Sequence, residues 1–125
     1  MSYNIDRWKT KKLEGLTIPL AAFYKHPRKD WHPKQPILTD PEAGAVELRC
    51  GCEQHIKGVL KDGRLMVTEF DMTGEGSGTF YRDILEPALK ESVGTLEAVL
   101  IWEGGDSVNR LMVKDGKVET EDIEL

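Results

Sequence analysis

The chain has 125 residues, of which 39% are apolar and 31% charged, and carries a net charge of −5 from 17 basic and 22 acidic side chains. That length supports one domain, residues 1–125, with a core of its own. The composition excludes a disordered chain, and no apolar run approaches the ~20 residues of a membrane-spanning helix. Two cysteines imply no disulfide framework, and the opening residues Met-Ser-Tyr-Asn-Ile-Asp-Arg-Trp lack the apolar stretch of a signal peptide, so a cytoplasmic location is expected.

Charge is spread unevenly. Residues 1–34 carry +5 and the rest −10. A basic segment lying across its own acidic body is the expected arrangement. Nucleic acid is disfavoured as a partner, because an acidic bulk repels phosphate.

Residues 1–15 are polar and basic, and Ile5, Trp8 and Leu13 fit a short helix poorly. Over 16–24, alternation places Leu16, Ile18, Leu20, Ala22 and Tyr24 on one face of a strand, which Pro19 confines to a sheet edge. The competing reading is a helix capped by Thr17 with Pro19 in its first turn. Pro27, Pro33, Pro36 and Pro41 make 25–44 a long connection without regular structure. Val46, Leu48, Cys50 and Cys52 alternate with Glu47, Arg49 and Gly51, the pattern of a half-buried strand. The runs 55–60 and 64–71 flank Asp62-Gly63, a two-residue hairpin signal. Glycine-rich residues 72–78 lead into an amphipathic helix at about 79–92, capped by Ser77 or Thr79, kinked between Asp83 and Pro87 and stopped by Gly94. Strands follow at 96–103, 108–114 and 117–123, the last two joined through Asp115-Gly116. Glu119, Glu121, Asp122 and Glu124 make the final strand a charged edge.

The expected fold is α+β: a mostly antiparallel sheet of six to seven strands, packed on or curled around one main helix, in the order β-loop-βββ-α-βββ.

The favoured functional reading is a non-catalytic binding module. No motif unites a nucleophile, a base and oxyanion donors. The 25–44 loop gathers His26, Arg28, Lys29, Trp31 and His32, a basic and aromatic contact surface for a protein or for an acidic or aromatic ligand. A second reading takes Cys50, Cys52 and His55 as zinc ligands of a metal-stabilised domain or small enzyme. Alternation weakens it by placing both thiols on the dry side of their strand, and no cofactor is expected. A third is a small apolar pocket between helix and sheet, lined by Phe70, Met72, Phe80, Ile84 and Trp102. The glycine-rich loop at 74–78 resembles an anion cradle only loosely, since it lacks a lysine and carries Glu75. Edge strands and exposed aromatics also permit a homodimer.

Overall fold

Residues 5–19 conceal their conformation by breaking the two-residue rhythm of a strand. Inward positions fall at Ile5, Trp8, Thr10, Leu13, Leu16 and Ile18, steps of two or three. The computed structural model, which describes residues 4–50, 53–104 and 107–123, shows why. This segment is one long strand, β1 (Ile5–Pro19), whose ladder shifts register between Ile5 and Arg7, Thr10 and Lys12, and Glu14 and Thr17. Each bulge inserts a residue and resets the phase of the side chains. The expected edge strand at 16–24 is thereby corrected. Pro19 ends β1 opposite Arg64, and Leu20–Tyr24 turn into a 3-10 helix.

Seven further strands follow: β2 (Ile37–Asp40), β3 (Ala45–Cys50), β4 (Gln54–Lys61), β5 (Arg64–Asp71), β6 (Val93–Trp102), β7 (Val108–Lys114) and β8 (Lys117–Asp122). They form one sheet in the order β2-β3-β4-β5-β1-β6-β7-β8, antiparallel at every pairing. Among the described residues the count is eight, not six or seven. The extra strand is β2, inside the connection expected to lack regular structure. Pro36 and Pro41 bracket four residues that keep their donors and pair with Glu47, Val46 and Ala45.

Both Asp-Gly turns form as expected. Asp62 and Gly63 have φ of 52° and 75°, Asp115 and Gly116 46° and 82°, the two positive angles a tight hairpin needs.

The helical stretch at 77–89 is shorter than expected and is built in three parts. These are α1 (Ser77–Phe80), a π turn (Tyr81–Leu85) and α2 (Glu86–Leu89). Pro87 has no N–H to offer, and the Glu86 N–H reaches back to the Tyr81 carbonyl, widening the turn ahead of the proline. Ser77 does not cap the helix. Its buried Oγ accepts a 2.6 Å hydrogen bond from the Ile5 N–H and ties the helix start to β1.

A single helix does not cover the sheet. Phe80, Tyr81, Ile84, Leu85, Ala88 and Leu89 enter the core from 77–89, while Ala22 and Phe23 enter from the 3-10 turn at 20–24. α2 packs against β1, β8 and that turn. The inward side chains of β3, β4, β5, β6 and β7 complete one continuous core cluster. Among the described residues no helix is long and apolar enough to cross a membrane.

Candidate functional site

Proline placement folds the 25–44 loop back on itself. A 3-10 turn at Lys29–Trp31 closes with the Trp31 N–H on the Arg28 carbonyl (3.1 Å) and the His32 N–H on the Lys29 carbonyl (3.1 Å). The turn sets three of the expected residues against one another. The His26 ring stacks on Trp31 with centroids 4.8 Å apart, and the Arg28 guanidinium lies 4.3 Å from the indole centroid. His26 Nδ1 accepts from the Arg28 N–H at 3.0 Å, and His32 Nε2 lies 2.6 Å from the His26 carbonyl. His32 also meets Tyr24 edge-on at 5.8 Å. The Tyr24 hydroxyl donates to the Lys34 carbonyl, and the Lys34 N–H donates to the Arg49 carbonyl on β3, both at 3.0 Å. The loop is thus pinned to the sheet. Lys29 stays exposed.

Much of the loop's positive charge is committed within the chain. Lys25 binds Glu91 at 2.7 Å and Arg28 binds Asp30 at 3.0 Å. The Arg28 hydrogen bond holds the Asp30 carboxyl below the usual carboxylate range. Burial, with a smaller contribution from Cys50, raises the Tyr24 hydroxyl.

Trp31 and Asp30 form one wall of a cleft of about 300 Å³. Gly76, Thr79, Phe80 and Ile84 form the other. That opposite wall is positioned by Gln54, which the sequence reading passed over. Gln54 is 1% exposed, and its Nε2 donates to the carbonyls of Thr73 (3.0 Å) and Glu75 (2.9 Å). A polar residue at an inward position of β4 was the signal for it. The Gly76 N–H donates to Asn4 Oδ1 at 3.0 Å and the Glu75 N–H to Glu53 Oε2 at 3.3 Å. Donors of the glycine-rich loop therefore already serve side chains of this chain, one of them a carboxylate standing where an anion would.

Of the five residues expected around an apolar pocket, Phe80 and Ile84 reach this cleft. Phe70 and Met72 lie buried in the core. Phe70 packs on Trp8 at 5.4 Å, and Trp102 packs on Tyr81 at 6.1 Å under the Arg82 guanidinium.

Cys50 and His55 are not brought together. Cys50 is fully buried on the core side of β3, opposite Gln54. Burial drives its thiol pKa far up, which opposes thiolate ligation. His55 pairs with Arg49 on the other face. Its Nδ1 lies 2.8 Å from Glu47 Oε1, out of line for a hydrogen bond, and its Nε2 lies 3.6 Å from Asp71 Oδ2. Cys52 lies outside the described residues. Among the described residues no group of three His, Cys, Asp or Glu side chains is placed to hold a metal ion.

The described residues form a mostly antiparallel sheet with one short helical stretch, α+β or mainly β in class, and a small cleft between that stretch and the Trp31 turn. No family model, no curated protein and no solved structure matches the chain.

Proposed function

We propose that this chain is a binding module whose contact site is the cleft between the Trp31 turn and the helical stretch at 77–89. The carrying observation is the cleft itself: an indole held by His26 and Arg28 faces Phe80 and Ile84 across about 300 Å³. That volume suits one aromatic or branched apolar group, from a small molecule or from a partner's side chain. Asp30, paired with Arg28, is the charged residue lining the cleft, and the chain as a whole carries −5, so long-range attraction favours a cationic ligand over an acidic one. In keeping with a binding role, two side chains of nucleophilic type among the described residues are withdrawn from the cleft. Ser77 is buried and bonded to the Ile5 N–H, and Cys50 is buried and protonated.

Three probes sharing an indole ring test the reading: indole, tryptamine and indole-3-acetate, each titrated into the labelled protein and followed by NMR. Saturable shifts of the Trp31 indole N–H and of the Gly76 and Thr79 amides are expected, with tryptamine binding tightest. Ile84→Trp, which fills the cleft, should abolish them. Shifts confined to other surfaces, or binding undiminished in Ile84→Trp, would refute it.

A further inference from the structure

The sheet face turned away from the helix carries an apolar row that the ladder registers define. Cross-strand partners project to the same side of a sheet. Val93 pairs with Thr17, Thr17 with Met66, Met66 with Val59 and Val59 with Ala45, one line across β6, β1, β5, β4 and β3. Ile18, Leu65 and Val46 beside that line are buried in the core, so the row faces outward. Met66 is 45% exposed and Val93 55%, two of the four exposed large hydrophobics among the described residues. At about 4.8 Å per strand the row is roughly 20 Å long.

The flanks of the row have opposite charge. On the side of the β4–β5 turn stand Lys61 and Arg64, a ladder pair on the outward face; Arg64 leans onto the row, donating to Thr17 Oγ1 and to the Thr17 carbonyl at 3.2 Å each, with Nη1 left to reach a partner. On the other side runs Glu47–Lys57–Glu69 across β3, β4 and β5, with Glu14 on β1 beyond it. Lys57 pairs with Glu69 at 3.5 Å and Arg49 reaches Glu47 at 3.9 Å, so three carboxylates stand against two cations and the flank stays net negative.

We propose that this face docks a second copy of the chain, in a symmetric dimer whose two-fold axis runs along the apolar row. An isologous contact must be complementary to itself. Rotation about that axis brings Met66 against its own counterpart and lays Arg64 over the partner's Glu69. Each basic flank meets an acidic one. An axis across the row would instead set like charge on like. The sheet edge at β8 is a poor alternative, because Glu119, Glu121 and Asp122 repel a matching strand.

Sedimentation of the purified chain over a concentration series tests the proposal. A species of twice the 14.1 kDa chain mass is expected at high concentration. Met66→Asp should sediment as a monomer with an unchanged circular dichroism spectrum. Glu69→Arg and Arg64→Glu should each raise the dissociation constant about tenfold. The double reversal should restore it to within about threefold of the original chain. If Met66→Asp fails to fold, the double reversal decides the case. A monomer at every concentration, a dimer indifferent to Met66→Asp, or reversals that do not rescue one another would overturn it.

Discussion

Trp31 is held from two directions, by the His26 ring and by the Arg28 guanidinium, before any ligand arrives. An indole fixed this way loses little rotamer freedom on binding, so its apolar surface converts more fully into affinity. Trp31→Ala should weaken tryptamine binding at least about tenfold while leaving unfolding cooperative, as titration calorimetry and a urea melt would show. Asp30→Asn keeps the shape and removes the charge. It also releases Arg28, so the preference for tryptamine over indole-3-acetate should reverse in the same calorimetric comparison.

Cys50 offers a pH test at the same scale. Its folded-state pKa is raised by burial above the ordinary thiol value of 9.0, so the unfolded chain loses the proton first. Stability is therefore full below about pH 9 and falls above it by about 1.4 kcal/mol per pH unit. Tyr81, raised by burial and by Glu86, steepens the fall above its own ordinary value of 10.0. Urea melts across this range should show the decline, and Cys50→Ala should flatten its first part. An equally steep decline in Cys50→Ala would assign the slope to another group.

At the scale of elements, β1 shows what makes a strand hard to read. Its bulges are set by how the strand crosses β6, a long-range relation that no local window contains. Its exposed Lys9, Lys11 and Lys12 further disguised a strand at the middle of the sheet. The Asp62-Gly63 and Asp115-Gly116 hairpins were legible because their backbone requirement is local and few residues meet it. The trouble at Pro87 was legible, and its form was not, since a kink and a π turn are both answers to a missing donor. The crossing of β1 and β6 yields a sharp test. Gly94 has φ +101°, and a Cβ there would lie 2.2 Å from the Gly15 carbonyl oxygen. Gly94→Ala should cost on the order of 3 kcal/mol in a urea melt. Gly63→Ala, strained at φ +75° but meeting open space, should cost only about 1–2 kcal/mol.

Over the whole molecule, the β1–β5 ladder holds three successive pairs, Thr17–Met66 to Pro19–Arg64, and resumes at a single bridge between Ile5 and Gly74. The Ser77–Ile5 hydrogen bond and the Gln54 contacts fasten the 73–77 loop beside that bridge. The cleft wall is therefore joined to β1 through Ser77 and Ile5 and to β4 through Gln54. This arrangement explains how far the site could be read from sequence. His26, Arg28 and Trp31 lie within six residues, and their proximity was evident from the chain. Gly76, Thr79, Phe80 and Ile84 come to face them only through the path of β1 and the pinning of Lys34 to β3. Charge is uneven along the chain, but pairing of Lys25 with Glu91 and of Arg28 with Asp30 commits two of the loop's cations internally, which weakens the case for an acidic ligand.

The binding account is tested most directly by intermolecular nuclear Overhauser effects between tryptamine and the methyl-labelled protein. Contacts from the ligand ring to the Ile84 methyls, together with contacts to the rings of Phe80 and Trp31, are expected at saturation. Contacts to methyls elsewhere on the protein, with none to Ile84, would contradict it.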